Sequence, residues 1–202
     1  MIQKPIGIHS FMNETLEAIT QALSIEQDDR VISICSCGAQ PLAFLQYLGN
    51  GRILAIDNNP KQINFAKQVI QIIKQGKNLK ELNLAPKDGP YFSNKHRLEA
   101  ITQNLNRLQF KLMDVTKKPE TNRKFTKGYF SNADVNLKYI HPIFEDGALI
   151  YVAFATHDLP KDIEKFLDNR SEAYRCDIRK LYEIDMPRTR LACKIESAHP
   201  CV

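Results

Sequence analysis

Three short polar clusters carry the residue types that could do chemistry: Ser36-Cys37-Gly38, Asp57 and Asp114. Each follows a run of aliphatic and β-branched residues, namely Val31 to Cys35, Arg52 to Ile56 and Leu108 to Met113. In an open parallel sheet, ligands bind beyond the carboxyl ends of the strands, near the switch in strand order. An acid roughly 20 residues after a nucleotide-binding turn accepts both hydrogen bonds of a ribose diol, and Asp57 stands at about that distance from Gly38. Two charge-assisted bonds favour such binding, and a glycine at position 38 lets the backbone approach a ligand closely. The competing reading of Asp57 is a cap for the helix that begins at Pro60.

Other chemistries are disfavoured by pattern. Ser36-Cys37-Gly38-Ala39-Gln40 holds one of the three glycines of G-x-G-x-x-G, and the whole chain has only 8. A dinucleotide pyrophosphate would therefore lack its close backbone approach. No G-x-x-x-x-G-K-[ST] phosphate loop occurs. Cys35-x-Cys37 has no second cysteine pair to complete a structural zinc site, so these two read as small packing residues and no metal is expected. His9, His96, His141, His157 and His199 show no ligand spacing. Of these, His157, beside Asp158 after the fifth strand, lies at the functional edge of the sheet and is a candidate base. A helix-capping neighbourhood is the alternative there.

The elements that must position these residues alternate as βαβ units do. Leu16, Ile19 and Leu23, with Phe11-Met12, recur at helical spacing after Ser10. Val31 to Cys35 is a flat apolar run, as in a strand buried on both faces. Pro41 opens a helix through Leu48 that closes at Gly49-Asn50-Gly51. Arg52 to Ile56 is the second strand, and Asn59-Pro60 is the cap and first turn of a helix carrying Ile63, Ala66, Ile70 and Ile73 to a stop near Gly76. Residues 77–95 read as a loop or small helical insert. Leu98, Ile101 and Leu105 mark a helix, Leu108 to Met113 a third strand and Lys127 to Phe130 a fourth. Leu137, Ile140 and Ile143-Phe144 suggest a helix, and Ala148 to Phe154 is the fifth and most apolar strand. Asp158 and Pro160 open a short helix through Leu167. Ile178 to Ile184 and Leu191 to Ile195 then suggest a C-terminal antiparallel hairpin.

Composition narrows the class. At 202 residues the chain can build one domain with a sizeable core, and 43% hydrophobic with 25% charged residues excludes disordered, collagen-like and disulfide-scaffold classes. The longest apolar stretch, Ala148 to Ala155, falls well short of the roughly 20 residues that cross a bilayer. Met1-Ile2-Gln3-Lys4-Pro5-Ile6 has no apolar run of the signal-peptide kind. Five scattered cysteines, an odd number, point to free thiols in a reducing cytoplasm. Thirteen Lys/Arg against five acids between Lys74 and Lys127 make a locally basic stretch. With aromatic interleaving limited to Tyr91-Phe92 and Phe110, a solvated face is favoured over a nucleic-acid platform.

The order of elements and the strand-ending acids resemble the class I S-adenosylmethionine-dependent methyltransferase superfamily, from about Asp28 onward. The usual first motif there is V-L-D-x-G-x-G-x-G, from which Ser33, Cys35, Cys37 and Ala39 depart. A closer local resemblance is to the 3-amino-3-carboxypropyl transferases of betaine-lipid synthesis. Their V-L-S-I-x-S-x-G is followed by Val31, Ser33, Ile34, Ser36 and Gly38, and their A-V-D-x-N-P-x-Q is met by Ala55-Ile56-Asp57-Asn58-Asn59-Pro60-Lys61-Gln62. Their tryptophan-containing upstream segment has no counterpart, since the chain has no Trp.

The resemblance implies a Rossmann-like class I methyltransferase fold, α/β, with a mostly parallel central sheet flanked by helices and a C-terminal antiparallel hairpin. It implies one S-adenosylmethionine-binding domain over residues 1–202, of which 1–27 form an N-terminal helical extension. Ser36 and Gly38 would lie against the methionine part of S-adenosyl-L-methionine, Asp57 would hold the ribose, and Asn58 would stack beside the adenine. Asp114 and Val115 would face the adenine edge, although Asp114 also suits a turn before Thr116. Ser131 and Asn132 would occupy the substrate-facing position after the fourth strand, where Ser-Asn-Ala-Asp is equally ordinary turn chemistry. No [ND]-P-P-[YF] follows that strand, which argues against amino-methylation of DNA bases or protein glutamine. The expected activity is methyl transfer to a small-molecule or lipid-like acceptor. The alternatives are 3-amino-3-carboxypropyl transfer from the same cofactor and a non-catalytic nucleoside-binding or scaffold protein.

Overall fold

The computed structural model describes residues 15–77, 84–85, 91–117, 121–131, 137–153, 174–180 and 190–197. The chain divides into two compact units, Met1–Met113 and Asp114–Val202.

The first unit is built on three parallel strands: β1 (Arg30–Ile34), β2 (Arg52–Asp57) and β3 (Leu108–Leu112), in the order β3-β2-β1. Val31, Ile32 and Ser33 in β1 are fully buried, as the flat apolar run predicts. Among the described residues this unit has four α-helices: α1 (Leu16–Leu23), α2 (Ala39–Leu45), α3 (Pro60–Lys74) and α4 (Lys95–Gln103). Helix α2 packs on β1 and β2, and α3 packs on β2 and β3. The apolar face of α3 is wider than Ile63, Ala66, Ile70 and Ile73 alone, because Phe65 and Val69 are also buried. Large side chains of this kind each contribute about 1.5–3 kcal/mol on burial. Asn59 caps α3 through Oδ1, which accepts the Lys61 N–H at 3.0 Å, and Pro60 takes the first helical position, as its missing N–H allows.

Helix α2 starts two residues before Pro41, at Ala39. The proline is still tolerated because the first-turn N–H groups have no intrahelical acceptor. The helix ends at Leu45 rather than Leu48, where Asn104 draws the chain off the helix. Its amide donates to the carbonyls of Leu45 and Leu48 at 3.1 and 2.8 Å. Helix α4 likewise gives way before Leu105, which lies in a separate 3-10 turn, Leu105–Arg107.

The second unit carries β4 (Phe125–Ser131), β5 (Phe144–Ala153), β6 (Tyr174–Lys180) and β7 (Arg190–Ser197), in the order β4-β5-β7-β6. β4 and β5 are parallel, whereas β7 runs antiparallel to both β5 and β6. Between β4 and β5 lies the short helix α5 (Leu137–Ile140) with a 3-10 turn at His141–Ile143. β5 begins four residues before the predicted Ala148. Phe125 pairs with Phe144 and Lys127 with Leu149, so an irregularity takes up the polar Glu145-Asp146-Gly147, with Gly147 at φ +79°. That polar interruption ends the apolar run without ending the strand.

β6 spans Tyr174–Lys180 and so begins four residues before the predicted Ile178. Its position is set by pairing, Tyr174 with Ser197 through Lys180 with Leu191, and the alternation Tyr174, Cys176, Ile178 is its faint sequence signal. Residues 181–184, Phe154 and the helix predicted from Asp158 lie outside the described residues, as do Ser10 and Phe11-Met12. So does most of the 77–95 segment, of which Tyr91–Ser93 forms a 3-10 turn.

Candidate cofactor site

The site is legible at the carboxyl ends of β1 and β2. After β1 the chain turns through Cys35, Ser36, Cys37 and Gly38, closed by a bond from the Gly38 N–H to the Cys35 carbonyl at 2.8 Å. Two residues of this turn are left-handed, Ser36 at φ +46° and Gly38 at φ +87°. Glycine adopts that region freely, whereas a serine there is strained and has to be held. The Ser36 N–H donates to Asp57 Oδ2 at 3.3 Å, and Gln62 Nε2 donates to the Ser36 carbonyl.

Asp57, half-buried as the last residue of β2, is therefore gripped from two sides. Its Oδ2 accepts from Ser36, and its Oδ1 accepts from the Asn59 N–H at 3.0 Å. The capping of α3 falls to Asn59, so Asp57 does not serve as the helix cap. A carboxylate is an acceptor-only group with about four lone-pair sites, the chemistry that suits a vicinal diol. On that ground the donor and acceptor set at this strand end fits a ribose.

At Gly38 the close approach is to α3: a Cβ there would stand 3.1 Å from the Ala66 Cβ. Asn58 is exposed between Asp57 and the cap. Cys35 and Cys37 are fully buried packing residues, and Cys37 Sγ donates to the Leu84 carbonyl at 3.7 Å. Burial pushes the Cys37 thiol up to about 11 and that of Cys35 further up, so neither is a ready nucleophile at neutral pH.

The structure thus brings together Ser36, Gly38 and Asp57 of the predicted set. Asp114 and Val115 belong to the second unit. Asp114 Oδ1 accepts from the Thr116 hydroxyl at 2.7 Å and from the Thr116 N–H at 3.0 Å, and its Oδ2 lies 3.5 Å from Lys117 Nζ. The hydrogen bonds from Thr116, more than the lysine, hold its carboxyl below the usual range. Val115 is buried beside it, and Ser131 is half-buried as the last residue of β4. Asn132 and His157 lie outside the described residues. Gln62 is the residue that sequence reasoning undervalued. It stood only as the last letter of a motif; the signal in the sequence was a polar residue four positions before Ala66 on an otherwise apolar helix face, and the structure buries it at 1% exposure.

The sequence matches no protein-family model and no curated protein. Solved structures do match. The precorrin-6y C5,15-methyltransferase of Geobacter metallireducens superposes with a TM-score of 0.60 at 13% identity, over 96% of this chain and 100% of that one. A predicted O-methyltransferase from Agrobacterium tumefaciens gives 0.61 at 10% identity, over 92% and 82% of the two chains. Fibrillarin from Aeropyrum pernix, solved with natively bound S-adenosyl-L-methionine, gives 0.54 at 13% identity, over 88% and 73%. The chain has the Rossmann-like fold of class I S-adenosylmethionine-dependent methyltransferases.

Proposed function

We propose that this chain is an S-adenosylmethionine-dependent transferase, acting as a single cofactor-binding domain in the cytoplasm. The favoured reaction is methyl transfer to a small-molecule or lipid-like acceptor. The observation that carries the reading is the Asp57 carboxylate, oriented at the end of β2 by Ser36 and Asn59. In this reading Asp57 receives the ribose hydroxyls, Ser36 and Gly38 line the methionine portion, and Asn58 lies beside the adenine. The family resemblance further assigns Asp114 and Val115 to the adenine and Ser131 and Asn132 to the acceptor, with His157 as the candidate base. S-adenosylmethionine supplies a sulfonium that carries its own leaving group, so alignment of the acceptor accounts for most of the rate. Beyond a proton acceptor, such a transfer needs no catalytic triad.

One observation favours a second reading, 3-amino-3-carboxypropyl transfer. The match to the Asn-Pro-x-Gln motif of betaine-lipid enzymes extends to Gln62, and Gln62 bonds to Ser36 in the matching first motif.

Calorimetric titration with S-adenosylmethionine and S-adenosylhomocysteine tests the whole proposal. Binding of both is expected, and well-folded protein that binds neither leaves only a scaffold role. The by-product then separates the reactions: S-adenosylhomocysteine marks methyl transfer, and methylthioadenosine marks aminocarboxypropyl transfer.

A further inference from the structure

Gln62 sits on the first turns of α3, buried, with its amide nitrogen on the carbonyl of Ser36, 26 residues earlier. The N–H on the other side of the same residue is on Asp57 Oδ2. These two bonds flank the left-handed φ of Ser36. We infer that Gln62 is a positioning residue for the cofactor turn: with Asp57 it clamps Ser36 in a conformation that a glycine would adopt unaided.

The clamp compensates for the glycines this turn lacks. Ordinary nucleotide turns reach such φ values through glycine, whereas here a side chain on α3, the helix after β2, holds Ser36. The same face of α3 presses the turn again one helical turn later, where Ala66 meets Gly38. Cys37, between the two, is tied to the Leu84 carbonyl. The turn is thus set by its tertiary neighbours, and Gln62 acts on the cofactor only through Ser36. This inference rests on the proposed cofactor site for its effect on binding, but the clamp itself does not.

Two variants and two readouts test it. Gln62→Leu removes the donor, and Gln62→Glu keeps it only while the carboxyl is protonated, a state that burial favours. Affinity for S-adenosylhomocysteine is measured by calorimetry, and amide exchange at Ser36 and Gly38 is compared with that at Val31 and Ile32 in β1. Gln62→Leu should weaken binding about tenfold, the scale of one lost buried hydrogen bond. It should also speed exchange at Ser36 and Gly38 more than in the strand. Gln62→Glu should bind nearly as the wild type at about pH 6 and clearly more weakly at about pH 8.

Uniform acceleration of all four amides would make Gln62 an ordinary stabilising residue and overturn the proposal. So would a Gln62→Leu variant that binds S-adenosylhomocysteine as tightly as the wild type. If the wild-type protein binds no S-adenosylhomocysteine, the proposed function fails, and the exchange pattern still decides whether the clamp exists.

Discussion

Asp57 and Asp114 are the same residue type beyond the carboxyl end of a strand, held in opposite ways. Asp57 is tied to Ser36, 21 residues away, as well as to its own turn. Among the described residues Asp114 is tied locally, to Thr116 and Lys117, within three residues of itself. The first bond exists only once β1 and β2 are paired, so it couples the acid to the fold. The second set forms in any chain that turns at that point. An acid whose orientation depends on the sheet is fixed by the assembled fold, whereas one that folds back on its own turn is fixed by local chain geometry.

The difference ranks the effects of substitution. Asp57→Ala should have the largest, a loss of S-adenosylmethionine affinity of at least about a hundredfold, since two charge-assisted bonds disappear. The circular dichroism spectrum should remain that of the folded protein. Unchanged calorimetric affinity in that variant would remove Asp57 from the ribose site.

Gly38→Ala comes next and acts on stability. It places a Cβ at φ +87° and 3.1 Å from Ala66, and should cost about 1–3 kcal/mol in denaturant unfolding. Asn59→Ala removes the cap of α3, the role Asp57 does not take, and should cost about 1 kcal/mol by the same measurement. A double variant with Asp57 will show coupling if the Asn59 N–H bond matters to both roles.

Asp114→Asn should be the mildest. Its carboxyl is held low by Thr116, so it contributes stability that is present above the unfolded-state value and lost as pH falls through the folded one. The variant should therefore melt slightly below the wild type near neutrality, converge with it at low pH, and so show a flatter melting profile on the acid side. An Asp114→Asn loss of cofactor affinity as large as that of Asp57→Ala would erase the contrast between the two acids. At the alkaline end, burial pushes the Tyr91 hydroxyl up to about 12. The stability it contributes should be complete below about pH 10 and decline as pH rises toward 12, a component absent in Tyr91→Phe.

Much of this was readable from local pattern. The β1 and β2 runs, the Asn59-Pro60 start of α3 and the acid at the end of β2 depend on neighbours a few residues apart, where periodicity and capping chemistry act. The elements misplaced from sequence are those whose limits are set by distant partners. α2 stops early because Asn104 takes its last carbonyls. β5 starts early because an irregularity carries Glu145 to Gly147, and β6 follows the register of β7.

The amino-acid sequence by itself determined the alternation of strands and helices, the strand-end acids and the scarcity of glycine in the turn after β1. Only the tertiary structure decided that Asp57 accepts from the amides of Ser36 and Asn59 while Asn59 caps α3, and that Gln62 bonds to Ser36 where glycine would be expected. The physical reason is separation along the chain. Bonds spanning 21 and 26 residues form only when the sheet and α3 are assembled, and no local pattern encodes which donor will then reach which carbonyl.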